Sequence, residues 1–299
     1  MSRIAYVNGR YVPHARAQVH IEDRGYQFAD GVYEVIAVQG GRLIDAAPHH
    51  DRLERSLREL QIVAPMSRAA LELVLGETIR RNRVHDGIVY LQITRGVAKR
   101  DHAFPTASTR PAVVATARPT KAHTPAMIAA GVKAITTPDI RWSRCDVKSI
   151  SLLPNCLAKQ QAKDAGAFEA WQVDGDGFVT EGTSTNAWIV DGDGNVVTRR
   201  VESAILSGIT RLVLLDFARQ TGIEVIERPF TVAEALAARE AFLTSTTSFV
   251  MPIVAIDGHP IGEGRPGPVT LRLRAIYDGH LANATSEPVV VPPERAGVA

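Results

Sequence analysis

At 299 residues, with 45% hydrophobic and 22% charged positions, the chain is long enough to bury its own core and too apolar to be disordered. Its 34 basic and 32 acidic residues leave a formal charge of +2, no electrostatic footprint for nucleic acid or an anionic membrane. Two cysteines, Cys145 and Cys156, are too few for a disulfide framework or a zinc cluster. No apolar segment opens the chain as a signal and none approaches membrane-spanning length, so a reduced cytoplasmic setting is expected.

Asn8-Gly9 between Ile4–Val7 and Arg10–Val12 predicts a two-residue hairpin, and Val32–Val38 a strongly β-prone strand ended by Gly40-Gly41. Pro48 opens a helix with Leu53, Leu57 and Leu60 at helical spacing, and Ser67 caps a second that runs to about Val84. Strands follow at Ile88–Thr94 and Ala112–Ala117. The prolines bracketing Arg118-Pro119-Thr120-Lys121-Ala122-His123-Thr124-Pro125 mark a linker.

Beyond it, strands are expected near Val132–Thr137 and Trp142–Lys148, then a helix from Leu153 to Ala165 stopped by Gly166. Asp174-Gly175-Asp176-Gly177 and Asp191-Gly192-Asp193-Gly194 lack the ligand pattern of a calcium loop and read as hairpin turns. Gly208 precedes a helix over Ile209–Gln220, with Leu212, Val213, Leu215 and Phe217 as its apolar members and Gly222 as its stop. Thr231-Val232-Ala233-Glu234 is a capping box, and a last helix spans Val269 to Leu281. The class is α+β (mixed α/β) in two domains. Residues 1–118 form the first and 126–283 the second, joined by the linker 119–125, and the tail 284–299 has no core pattern and is expected to be disordered.

Several chemistries lack their carriers. There is no Gly-x-Ser-x-Gly elbow, no His-Glu-x-x-His, no phosphate loop and no Gly-x-Gly-x-x-Gly; His49-His50 reads as a surface pair, and no metal is expected. What remains suits an anionic pyridine cofactor. Lys148 ends an apolar, β-like run, and an interior lysine has the lowered pKa that imine chemistry needs. Ser207-Gly208-Ile209-Thr210 offers a glycine turn, two backbone N–H groups and a hydroxyl at a helix N-terminus, an anion site by geometry and dipole. Thr244-Ser245-Thr246-Thr247-Ser248 supplies further hydroxyls after a strand. The carboxylate of Glu181 could keep a pyridine nitrogen protonated. Taken singly, each segment is equally well a surface lysine, a plain cap, a loop or a hairpin corner.

In this order and spacing, Lys148, Glu181-Gly182-Thr183-Ser184-Thr185-Asn186, Leu206-Ser207-Gly208-Ile209-Thr210-Arg211 and Thr244–Ser248 resemble the class IV (fold type IV) pyridoxal-phosphate aminotransferases. Trp188 stands where that family usually has Phe or Tyr. Within the class the chain is most similar to the D-amino acid aminotransferase group, through Glu22–Phe28, Asp30–Val35, Arg100-Asp101-His102 and Arg141–Ser149; the resemblance runs from Ile4 to Leu281.

The resemblance implies a two-domain fold with pyridoxal 5′-phosphate between the domains. Lys148 would be the Schiff-base residue and proton shuttle, and Glu181 the partner of the pyridine nitrogen. Arg52, the N–H groups of Ile209 and Thr210 beside Gly208, and Thr246 would hold the phosphate. Leu206 would back the ring, with Ser184 and Thr185 as a hydroxyl pair; the family often has Ser-Ser there. Arg100 and His102, reaching over from the partner subunit of a homodimer, would grip the substrate carboxylate together with Tyr33. The expected reaction moves an amino group from a D-amino acid (D-alanine, D-glutamate) to a 2-oxo acid (2-oxoglutarate, pyruvate). Alternatives on the same fold are a branched-chain-type L-amino acid aminotransferase, an amine transaminase, aminodeoxychorismate lyase or a catalytically silent scaffold.

Overall fold

Asn8 and Gly9 both take positive φ, 45° and 91°, the condition a two-residue turn imposes, and fold β1 (Ile4–Val7) back onto β2 (Arg10–Pro13). In the computed structural model, which describes residues 3–286, that hairpin edges a six-stranded antiparallel sheet. After the short helix α1 (Arg24–Phe28), the sheet takes β3 (Gly31–Gln39) and β4 (Arg42–Leu43). Helices α2 (Ala46–Glu59) and α3 (Arg68–Asn82) follow, then β5 (Gly87–Thr94) and β6 (Ala112–Pro119), giving the order β2-β1-β6-β5-β3-β4. Leu53 and Leu57 of α2 and Leu71, Leu75 and Ile79 of α3 pack on Val32, Ile36, Val89 and Leu91 of the sheet. Burying such side chains stabilises by about 1.5–3 kcal/mol each.

The second half begins with α4 (Pro125–Ala130), β7 (Val132–Pro138), α5 (Leu153–Asp164) and β8 (Glu169–Val173). It continues through β9 (Val179–Gly182), β10 (Asn186–Val190), β11 (Val196–Thr198), α6 (Ile209–Gln220) and β12 (Val225–Glu227). It closes with α7 (Val232–Leu236), β13 (Glu240–Ser245), β14 (Phe249–Ile256), β15 (His259–Pro260) and α8 (Pro268–Ser286). These nine strands form a mixed sheet ordered β12-β11-β10-β13-β14-β7-β8-β9, with β15 on β14. Parallel pairing occurs at β11–β12, β14–β7 and β7–β8. Trp188 stacks on Phe242 with ring centroids 5.3 Å apart and donates its indole N–H to the Thr244 hydroxyl at 2.9 Å, so the large ring is fully packed and satisfied.

One helix ties the halves together. Leu273, Tyr277 and Leu281 of α8 share a core with Trp188 and Phe242 of the second sheet and with Ala37 and Ile44 of the first half. The Tyr277 hydroxyl donates to Asp45 Oδ2 at 3.0 Å, His280 Nε2 lies 2.8 Å from Asp45 Oδ1, and Arg42 reaches the Ala284 carbonyl at 3.3 Å. Burial and the Asp45 carboxylate both push the Tyr277 phenol up, which keeps it a donor.

Five expectations need correction. Trp142–Lys148 is an irregular segment, bent where Arg144 pairs with Asp146 at 3.0 Å; only Ser149 bridges to Val32. Within the expected linker, Thr124 accepts from the Met127 N–H at 3.1 Å and starts α4. Leu212 lies on the exposed side of α6, and Leu214 takes its place in the core. His49 and His50 are both buried, because Glu34 and the α2–sheet packing draw them inward. The last helix runs to Ser286, past the expected start of the tail; residues 287–299 of that tail lie outside the described residues.

Tyr277→Phe leaves Asp45 one donor short, so chemical denaturation is expected to find the variant less stable by about 1–2 kcal/mol, with no change in the denaturant dependence m.

Candidate active site

Tyr33 and Arg52 of the first half and residues of the second enclose a cleft of about 730 Å³, solvent-open space included. Its lysine is Lys148, carried by the irregular segment that precedes α5. The segment is held to the start of β3 by Tyr33 N–H to Lys148 O and Ile150 N–H to Gly31 O, both 3.0 Å. Lys148 Nζ lies 4.2 Å from the centroid of the Tyr33 ring, and Tyr33 in turn stacks on Tyr90 at 5.8 Å. The half-buried amino group is therefore held over an aromatic face.

Opposing it is a buried carboxylate. Glu181, at the end of β9, is 6% exposed. Its Oε1 accepts from Arg141 Nη1, and its Oε2 accepts from the Leu206 N–H and from Asn186 Nδ2, each at 3.1 Å. Burial pushes Glu181 up, against the pull of Arg141, the Leu206 N–H and the Lys148 charge. Arg141 is clamped from behind by both oxygens of Asp139, at 2.9 and 2.7 Å. Asn186 also bonds the Leu206 carbonyl at 2.9 Å, so the same side chain fixes the carboxylate and the turn that leads to α6. Gly208 is compulsory in that turn: a Cβ there would lie 2.0 Å from Asn186 Oδ1.

Helix α6 begins at Ile209 with no side-chain cap from Gly208, and its first N–H groups have no helical carbonyl to reach. Ile209, Thr210 and Thr246 line the cleft here. Arg52 completes this end. Its Nη1 donates to the Ser207 carbonyl at 2.9 Å, while Nε and Nη2 grip Glu34 at 2.8 and 2.7 Å. His49 Nδ1 approaches Glu34 Oε2 at 2.7 Å and, facing an acceptor-only carboxylate, carries the proton. Burial opposes ionisation of Glu34, but Arg52 and then His49 outweigh it and bring its carboxyl down to about 2.

The cleft thus brings together Lys148, Tyr33, Arg52, Glu181, Ser184, Thr185, Leu206, Gly208, Ile209, Thr210 and Thr246. Two hydroxyls point elsewhere: Thr185 donates to buried Glu169 at 3.1 Å, and Thr210 bonds the Tyr277 phenol oxygen. Arg100 and His102 lie outside the cleft on an exposed loop, with His102 in a neighbouring hollow lined by Phe28, Trp142 and Ser151. Arg141, Glu34, His49 and Asn186 carry the site without having been assigned a part from the sequence. Arg141, Glu34 and Asn186 sit in stretches that carry the resemblance, and that was the available signal.

A mixed α/β fold in which a lysine and a buried, cation-clamped carboxylate share a cleft with bare helix-N-terminal donors is the setting of amino-group transfer on a phosphorylated pyridine. The amino-transferase class IV model matches residues 31–256, and the chain belongs to that family. The D-alanine aminotransferase of Bacillus licheniformis is 42% identical over 283 residues, 94% of this chain and 98% of that protein. Among solved structures, the Escherichia coli branched-chain amino acid aminotransferase superposes with a TM-score of 0.87 at 24% identity, over 97% of this chain and 98% of its own. The branched-chain aminotransferase of the thermophilic archaeon Thermoproteus uzoniensis, solved with norvaline, gives 0.83 at 26% identity, over 94% of this chain and 96% of its own.

Glu34→Gln keeps the shape but removes the charge facing Arg52. Because the folded carboxyl sits near 2 and its ordinary value is 4.5, its contribution is fully present above pH 4.5 and is lost as pH falls toward 2. The stability gap between the native chain and Glu34→Gln is expected to be widest near neutrality and to close across that window, as urea unfolding at stepped pH would read.

Proposed function

We propose that this chain moves the amino group of a D-amino acid, D-alanine or D-glutamate, to a 2-oxo acid such as 2-oxoglutarate or pyruvate, using pyridoxal 5′-phosphate. The observation that carries the reading is the placement of Lys148 and Glu181 in one cleft with the N-terminus of α6 and Arg52. The identity to D-alanine aminotransferases favours the D-amino acid donor over the branched-chain alternative.

The residues fit the cofactor. Bare N–H groups of Ile209 and Thr210, the Thr246 hydroxyl and the Arg52 guanidinium form a donor set for a phosphate dianion. Leu206 offers an apolar wall and Ser184 a free hydroxyl beside the ring position. When bound, the cofactor supplies an electrophilic carbonyl carbon and a ring that accepts an electron pair. Glu181 would hold a proton at the ring nitrogen, and Arg141 opposes the upward push that burial gives the Glu181 carboxyl. Lys148 Nζ, held over the Tyr33 ring, would take the α-proton of the donor; with the amino group passed to the cofactor and water supplying the oxygen, the donor would leave as a 2-oxo acid. The same steps in reverse load a second 2-oxo acid.

Arg100, His102 and Tyr33 bind the substrate carboxylate, the first two from the partner subunit of a homodimer. Exposed Ile21, Tyr26 and Phe104, at 76%, 75% and 56%, support an apolar contact surface around that loop. No helix among the described residues is long and apolar enough to cross a membrane, which agrees with a cytoplasmic setting.

Purified protein is expected to release pyruvate from D-alanine in the presence of 2-oxoglutarate, read through a lactate dehydrogenase couple. Lys148→Ala should lower the rate by about 10³-fold or more and abolish the long-wavelength cofactor band. Turnover of L-leucine in place of D-alanine would move the chain to the branched-chain group, and pyruvate from aminodeoxychorismate without an acceptor would make it a lyase. Sedimentation equilibrium should give twice the chain mass; a monomer with full activity would remove the partner's part in the site.

A further inference from the structure

Helix α1, whose sequence Arg24-Gly25-Tyr26-Gln27-Phe28 contributes nothing to the cleft, holds the loop that carries Arg100 and His102. Arg24 is 3% exposed and committed on two sides. Its Nε donates to Asp30 Oδ2 at 2.7 Å. On the other side, Nη1 donates to the carbonyls of Asp101 at 2.6 Å and Ala103 at 3.3 Å, and Nη2 to that of His102 at 3.5 Å. One planar guanidinium thus fixes three successive carbonyls, a match of geometry that a lysine could not reproduce.

The far flank of the loop is pinned through the same carboxylate. Arg95 grips Asp30 through Nε and Nη2 at 2.7 and 2.9 Å, and its guanidinium lies 3.6 Å from the centroid of the Phe104 ring. Arg95 is anchored in turn by the Leu60 and Gln61 carbonyls at 2.7 and 2.9 Å. Between these pins stands Phe28. The Arg24 and Arg100 guanidinium carbons lie 4.8 and 5.0 Å from its ring centroid, and the His102 ring is 5.5 Å away, tilted by 52°. Both residues of the Arg-x-His pair therefore rest on one aromatic ring. Among the described residues neither forms a side-chain hydrogen bond, so their N–H groups remain available to an anion.

We propose that Arg24 and Phe28 are positioning residues that set the pose in which Arg100 and His102 receive a substrate carboxylate. The inference rests on the reading of Arg100 and His102 given above, and holds whichever subunit's cleft they serve. Arg24 fixes the backbone between and beside the two residues, and Phe28 fixes their side chains by cation–π and ring contact. Pre-ordering them removes the entropy that two exposed, flexible side chains would otherwise lose on binding.

The test uses the cofactor-loaded enzyme with Arg24→Lys, Phe28→Leu and Phe28→Tyr, and Arg100→Ala as reference. Three quantities are read: KM and kcat for D-alanine, the affinity for the unreactive carboxylate propionate by calorimetry, and the cofactor absorbance. Arg24→Lys and Phe28→Leu are expected to raise KM and weaken propionate by about tenfold, with kcat within about twofold and the cofactor band unchanged. Phe28→Tyr, which keeps the ring face, should behave as the native chain. If Arg24→Lys fails to fold, Phe28→Leu alone carries the test, since it removes a half-buried ring and leaves every hydrogen bond of Arg24 in place. Native KM and propionate affinity in Phe28→Leu, with Arg100→Ala impaired in both, would overturn the platform. Native values in Arg100→Ala itself would overturn the carboxylate reading, and the platform with it.

Discussion

The ion pair between Arg141 and Glu181 is the constraint around which the cleft is arranged. A carboxylate buried to this degree is pushed toward its neutral form, and a neutral Glu181 could not hold a positive charge at a ring nitrogen. Keeping it ionised takes a cation, and a buried cation needs its own partners. Asp139 supplies two, the Ala204 carbonyl a third and the Thr180 hydroxyl a fourth. Those requirements explain the irregular course of the chain between β7 and α5. The segment turns to bring Arg141 inward and then runs along β3 to set Lys148 against Tyr33, so the counter-ion of Glu181 and the lysine of the cleft are placed by one stretch of backbone.

The anion-binding end repeats the logic with the signs exchanged. Arg52 is buried and would be costly alone; Glu34 neutralises and fixes it, with His49 steadying Glu34, which leaves the remaining guanidinium N–H groups and the first turn of α6 for the proposed phosphate. Because Glu34 cancels much of the Arg52 charge, the attraction at this end comes chiefly from directed N–H groups. Such a site favours an anion of defined shape over one that is merely negative. Both ends hold charge by enclosing it in pairs, and in both the pair is completed across elements distant in sequence.

How much of this was legible in the chain follows from the range of the interactions. Turn chemistry is local, and Asn8-Gly9, the Asp174 and Asp191 turns, the Ser67 cap and the Thr231–Glu234 box are all found as read. The motif residues that line the cleft follow from the family resemblance. Four features did not, and for His49 and the hydroxyls of Thr185 and Thr210 the reason is long-range. His49 looked like a surface residue because its partner, Glu34, lies on a strand brought near only by the packing of α2. Trp142–Lys148 has strand-like composition, but the pairing of Arg144 with Asp146 within it, and of Arg141 with Asp139 just before it, overrides it. The hydroxyls of Thr185 and Thr210 are turned away from the cleft by Glu169 and Tyr277, which no local pattern places beside them. Thr124 as a helix cap was hidden by the prolines around it.

The span from Arg24 to Glu34 has a consequence for how this enzyme can change. Arg24 and Phe28 steady the loop of Arg100 and His102, Tyr33 supports Lys148, and Glu34 fixes Arg52. Since β3 is extended, successive residues Tyr33 and Glu34 point to opposite sides of the sheet, one toward the lysine and one toward the arginine. On the proposed roles, a drift in register here would disturb carboxylate capture, proton transfer and cofactor retention at once. Variation in substrate scope therefore has a narrower path through this span than through the exposed loop after β5, where a side chain can be exchanged without disturbing the other two tasks.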